Sequence, residues 1–69
     1  MKEGRVKFFD NKRGYGFIET DGGEDYFFHY SEIISDDSYR TIKKDTKVEF
    51  ETKDFGRGNT AFNVREIGR

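Results

Sequence analysis

The 69-residue chain has no cysteine, no proline and no tryptophan, and one histidine. Without cysteine, disulfides and thiolate metal sites are excluded, and a reducing compartment suits the chain. With a lone His29 and no thiol, zinc has no ligand set, so neither a metal nor a cofactor is expected. No apolar run approaches the roughly 20 residues needed to span a bilayer. The start, Met1-Lys2-Glu3-Gly4, carries no apolar signal segment. A cytoplasmic protein or intracellular domain is expected, with no membrane partner. The missing tryptophan leaves tyrosine fluorescence or NMR shifts as reporters of binding.

Charged residues make up 39% of the chain, which alone could suggest disorder, but eight Phe and four Tyr stand against it, because disordered chains are poor in aromatics. A chain this short buries only about 60% of its unfolded surface, so stability should be marginal. Residues 1–69 read as a single domain, with no repeat, linker or low-complexity tail. The net charge of −1 is segregated: +2 over residues 1–20, −6 over 21–38 and +3 over 39–69. A local basic face is therefore compatible with the total.

Alternation marks five short strands. Residues 5–9 interleave basic and apolar side chains. Strict alternation would put Val6 and Phe8 on one face and Lys7 and Phe9 on the other, but a bulge would change that. Residues 10–14 are turn chemistry, and residues 15–20 form a second strand. Asp21-Gly22-Gly23-Glu24 is a turn, followed by its hairpin partner over 25–30. There Tyr26 and Phe28 share one face and Phe27 and His29 the other; both faces are aromatic, so periodicity leaves the core side open. Residues 31–45 show no sustained pattern beyond a short helical turn at Ser31-Glu32-Ile33. This long connection holds Tyr39 and Arg40. Residues 46–52 alternate with Val48 and Phe50 inward, residues 53–59 are a glycine-rich turn, and residues 60–67 form a fifth strand around Val64. Five strands and no convincing helix imply a small closed barrel.

The stretch Arg13-Gly14-Tyr15-Gly16-Phe17-Ile18-Glu19-Thr20 carries the chemistry. Strand side chains alternate, so Tyr15 and Phe17 project from one side while Gly16 and Ile18 face the core. Two flat rings with a cation at one end suit stacked bases and a passing phosphate. The stretch fits the first ribonucleoprotein motif, basic-Gly-aromatic-Gly-aromatic-aliphatic.

With both aromatic strands placed, the chain resembles a cold-shock domain over nearly its whole length. The resemblance rests on Gly4-Arg5-Val6-Lys7-Phe8-Phe9, Arg13-Gly14-Tyr15-Gly16-Phe17-Ile18 and Asp25-Tyr26-Phe27-Phe28-His29-Tyr30, the last resembling the family's second ribonucleoprotein motif. Ser31-Glu32-Ile33, Gly56-Arg57-Gly58 and Ala61-Phe62-Asn63-Val64 follow in order. It implies an all-β, five-stranded antiparallel OB-type Greek-key barrel. It also implies a non-catalytic binder of single-stranded RNA and single-stranded DNA that loosens RNA secondary structure, notably in the cold. A monomer is expected, with a swapped dimer as the alternative. Carried over by motif, the binding face comprises Lys7, Phe8, Arg13, Tyr15, Phe17, Phe27, His29 and Tyr30. Asp25 and Arg57 sit where bases or backbone can be contacted, and Tyr39 where the family places a loop aromatic. Phe8 stands where the family usually has Trp, and Tyr15 and Tyr30 replace the usual Phe. Tyr26 and Phe28 replace small branched residues expected inside, and Phe62 replaces a usual Ala; oversized groups strain a packed core unless neighbours make room.

Other readings compete. Tyr15, Phe17 and Phe27 could be ordinary cross-strand packing, worth roughly 0.2–1 kcal/mol per pair. Against that, Ile18, Val48, Phe50 and Val64 already supply a core on the opposite face, and an exposed apolar patch usually marks a contact site. Glu24-Asp25 and Asp36-Asp37 are paired acids without a convergent substrate site. Gly14-Tyr15-Gly16 is no dinucleotide fingerprint, since Glu19 occupies the third glycine position. The rivals from other classes are a protein-interaction barrel of a small translation or ribosome-associated factor, and an oligosaccharide-binding OB domain.

Overall fold

The computed structural model describes residues 1–34, 42–52 and 59–67. The strands β1 (Lys2–Asp10), β2 (Tyr15–Thr20), β3 (Asp25–His29), β4 (Lys47–Thr52) and β5 (Ala61–Glu66) follow in chain order, with a 3-10 turn at Tyr30–Glu32. β2 has the bounds its alternation predicts. β1 extends beyond the expected 5–9 at both ends, and β3 gives up Tyr30 to the 3-10 turn.

The strands form one sheet in the order β3-β2-β1-β4-β5, each neighbouring pair antiparallel. β1 is central because its first half pairs with β4 and its longer second part with β2. The sheet curls until its outer strands touch. Phe27 bridges Thr60 in parallel sense, and its N–H donates to the Asn59 carbonyl at 3.0 Å. Ile33 bridges Val64, whose carbonyl accepts from the Ile34 N–H at 2.7 Å. Among the described residues the expected closure is therefore made at isolated bridges rather than along a ladder, giving a curled OB-type half-barrel.

The interior is wholly apolar among the described residues. Val6, Ile18, Phe28, Val48, Phe50, Ala61 and Val64 are fully buried, and Tyr26, Ile33 and Ile42 nearly so. The alternation in β3 is thus decided: Tyr26 and Phe28 are core, and Phe27 and His29 face out. The room for Phe28 comes from Gly16, its direct partner on β2. A Cβ on Gly16 would run into the Phe8 carbonyl of β1 and stand 3.0 Å from the Phe28 ring, so its absence lets β1 approach and leaves room for the ring. Phe9 then stacks on Phe28 at 5.7 Å and 12°, and Tyr26 packs on Phe50 at 5.1 Å. Phe62 adds no bulk to this core; Ala61 takes the inward place beside it. The change is set by a register shift between Glu49 and Glu51 and by Asn63 at φ +52°. Asn63 is held there by its N–H donating to Glu32 Oε1 and its side-chain amide donating to Glu51 Oε2, each at 3.2 Å.

Candidate nucleic-acid interface

The outward face of β1, β2 and β3 is assembled by one irregularity. The β1–β2 register pairs Val6 with Ile18 but Phe8 with Phe17, so Lys7 is an extra residue in a bulge. A regular strand would have carried Phe8 to the same side as Val6. The bulge instead leaves Val6 and Phe9 inward and turns Phe8 outward beside Phe17.

Cross-strand partners share a face, so the register lays out the surface in rows. Phe8, Phe17 and Phe27 form one row across three strands; Tyr15 and His29 lie in the next. Phe8 is 42% and Tyr30 45% exposed, while Tyr15, Phe17 and Phe27 are half-buried by one another. The rings meet edge to face: Phe8–Phe17 at 5.4 Å and 64°, Phe17–Phe27 at 5.8 Å and 70°, and Phe8–Tyr15 at 6.3 Å and 62°. Tyr15 tilts 35° against Phe27 at 5.7 Å. Such contacts contribute about 0.5–1.5 kcal/mol beyond area burial. They hold the rings in place without covering the surface they present, and rings at these angles are separate platforms.

The β1–β2 turn positions Arg13 at one end of the rings. Asp10 Oδ1 accepts from the backbone N–H groups of Lys12 and Arg13 at 3.0 and 3.1 Å. Gly14 follows at φ +77°, with the Tyr30 ring so close that a Cβ would lie 2.9 Å from it. Glycine here gives both the positive φ and the seat for Tyr30. The Gly14 carbonyl accepts from the Tyr30 N–H at 2.8 Å, tying the turn to the end of β3.

His29 caps the 3-10 turn. The Ser31 N–H donates to His29 Nδ1 at 3.2 Å, and Ser31 Oγ lies 2.9 Å from the same nitrogen. A backbone N–H can only donate, so Nδ1 is the acceptor and the neutral ring carries its proton on Nε2. That leaves an Nε2–H donor on an exposed ring, 4.6 Å from Tyr30. Ser31 was not singled out for this part; the His-Tyr-Ser spacing ahead of a helical turn is the signal that points to it.

The flanking cations are not free. Lys7 Nζ is 3.2 Å from Asp25 Oδ2, and Arg13 Nε is 3.8 Å from Asp10 Oδ2. All four groups are solvent-accessible, so the pairs are worth little and exchange readily. The structure thus brings together Lys7, Phe8, Arg13, Tyr15, Phe17, Asp25, Phe27, His29 and Tyr30 around one face. Tyr39 and Arg57, also expected at the site, lie outside the described residues. Among the described residues no group of three or more His, Cys, Asp or Glu is placed to hold a metal ion, and no helix is long and apolar enough to cross a membrane.

A curled five-stranded OB-type sheet with rings on the outer side of its second and third strands has the architecture of OB domains that take oligonucleotides or oligosaccharides on that face. The comparisons with known proteins narrow the class. A family model described as the 'Cold-shock' DNA-binding domain matches residues 2–67. The chain is 42% identical over 67 residues to the cold shock protein CspD of Bacillus subtilis (strain 168), covering 97% of this chain and 100% of that one. It is 44% identical to the cold shock protein CspA of Staphylococcus aureus (strain USA300), with the same coverage. A solved structure of Drosophila Unr CSD456 superposes with a TM-score of 0.76 at 24% identity, covering 97% of this chain and 26% of that chain, a likeness of fold. The chain belongs to the cold-shock domain family, a family of nucleic-acid-binding domains whose members are generally non-catalytic.

Proposed function

We propose that this chain is a non-catalytic, cytoplasmic single-domain protein that binds single-stranded RNA and DNA and acts as a passive RNA chaperone, in the cold-shock response or in gene regulation. The observation that carries this reading is the outward cluster of Phe8, Tyr15, Phe17 and Phe27, continued by His29 and Tyr30, on a sheet whose other face is a complete core. Successive bases stack on these rings, each stack worth about 1–3 kcal/mol and largely indifferent to base identity. Tyr39 from the long connection and Arg57 from the glycine-rich turn extend the track. Lys7 and Arg13 contact phosphates by exchanging their carboxylate partners, Asp25 and Asp10, for the ligand.

Duplex bases hide their faces, so the chain favours unpaired strands. Differential affinity alone then draws transiently open RNA out of its hairpins, with no nucleotide hydrolysis. The chain works as a monomer. The test is a titration at physiological salt with an unpaired pyrimidine-rich heptamer, followed by chemical-shift mapping, and with a hairpin-locked version of the same bases. The heptamer should saturate the protein one to one and shift the resonances of the ring face, and the locked hairpin should bind much more weakly. No saturable heptamer binding, or equal affinity for both ligands, would sink the reading.

A further inference from the structure

Among the described residues, Lys7 and Arg13 beside the rings are paired, and most of the unpaired cations lie elsewhere. Lys2, Lys7, Arg13 and Arg65 each have a carboxylate within 4.0 Å. Among the described residues Arg5, Lys43, Lys44 and Lys47 form no such pair, and all four are exposed. Lys12 is also unpaired but stands apart at the β1–β2 turn.

The fold gathers those four. Arg5 on β1 and Lys47 on β4 are direct cross-strand partners, both outward. Like charges placed directly opposite each other destabilise a sheet, and Arg5's other neighbour, Glu19, forms no ion pair with it among the described residues. Residues 43–46 then turn back on themselves, the Thr46 N–H donating to the Lys43 carbonyl at 3.2 Å, with Asp45 at φ +70°. The turn is pinned to β1: the Val6 N–H donates to the Thr46 carbonyl at 3.0 Å, and the Asp45 N–H to the Val6 carbonyl at 2.7 Å. Val6 is the residue before the Lys7 bulge. The turn is thus held beside Val6, just before Lys7 and Phe8 at the β1 end of the Phe27–Phe17–Phe8 row, and Arg5 is the last outward residue of β1 before the bulge. Asp45 lies within the turn, and Glu19 stands beside Arg5 on β2.

We infer that Arg5, Lys43, Lys44 and Lys47 form a second, electrostatic segment of the nucleic-acid path, which takes the backbone phosphates of a single strand after it leaves the rings at Phe8. The inference rests on the proposed single-strand binding and adds a length requirement. The rings hold the first nucleotides by stacking, and the strip holds the following ones by charge alone, without reading bases. A strand long enough to reach it releases additional counterions, each contact adding about −0.7 to the log–log salt slope.

The experiment compares the heptamer with a 12-mer of the same composition by fluorescence anisotropy between about 0.05 and 0.2 M salt, using the parent and the triple variant Lys43→Gln/Lys44→Gln/Lys47→Gln. These exposed positions tolerate glutamine, and circular dichroism checks the fold. In the parent the 12-mer should show a slope steeper by about 3 and an affinity at least about tenfold higher at the low-salt end, as for four phosphate contacts. In the variant the 12-mer should lose about 2 of that extra slope and most of its extra affinity, keeping only the share of Arg5, with the heptamer unchanged. A 12-mer whose slope and affinity survive the triple change, or equal losses for both lengths, overturns the inference, while heptamer binding by the parent keeps the single-strand reading. Failure of the parent to bind the heptamer at all counts against the single-strand reading on which the inference rests.

Discussion

Phe27 and Phe28 are the same side chain, one peptide apart in one strand, with opposite fates. Phe28 is fully buried between Gly16 and Phe9. Phe27 lies half-exposed between Phe17 and Tyr15. Alternation sends them to opposite faces, and each face does a separate job. The inner face holds the half-barrel together; the outer face presents rings to a ligand. Aromatic content alone therefore says nothing about function here. The register does, because it decides which rings are spent on the core.

The sharpest test of that division is Phe28→Ala. It removes a fully buried ring that Gly16 cannot replace, at a cost of about 3–5 kcal/mol. In a domain this small that is a large share of the total stability. The expected outcome is a urea unfolding midpoint moved far down, or an unfolded chain at room temperature. Phe28→Leu should cost distinctly less, since most of the volume remains. A Phe28→Ala chain as stable as the parent would mean that the inner face is not the core. Next in size come Phe17→Ala and Phe27→Ala. Each should weaken heptamer binding by about 1–3 kcal/mol in calorimetry, while in stability losing the burial of a half-exposed ring and ring contacts worth about 0.5–1.5 kcal/mol each. Both variants folding and binding like the parent would break the comparison from the other side.

How much of this was legible in the sequence follows the same logic. β2 was read correctly because Gly16 and Ile18 are unlike Tyr15 and Phe17, so one face declares itself. β4 was read for the same reason, with Val48 and Phe50 between charged residues. β3 was not, because its four residues from Tyr26 to His29 are all aromatic or histidine and the alternation carries no polarity. The choice is made by tertiary packing, through Gly16 on the neighbouring strand. In β1 the bulge at Lys7 adds a residue that local periodicity cannot anticipate. It depends on pairing with β2, and it decides whether Phe8 joins the core or the ring row. Ile33 and Ile42 joined the core from a connection that shows no pattern, since residues outside strands have no period to reveal a buried side. The ion pairs of Lys7 and Arg13 were equally invisible. Asp25 lies far from Lys7 in sequence and becomes its neighbour only because β1 and β3 flank β2 on its two edges.

That last pairing gives the smallest effect and a clean discrimination. Asp25→Asn removes the carboxylate 3.2 Å from Lys7 Nζ. The pair is about half exposed on both sides, so the stability change should stay within about 1 kcal/mol. The informative readout is the salt dependence of heptamer binding. With Asp25 in place, a phosphate that reaches Lys7 must first replace the carboxylate, and part of the counterion release is forfeited. Freed by the substitution, Lys7 should act as a full phosphate contact, steepening the log–log slope by up to about 0.7 and tightening binding at low salt. Anisotropy titrations across the salt range measure both. An unchanged slope with weaker binding would instead give Asp25 a direct contact to a base, and would move it from the role of Lys7's counter-charge into the track itself.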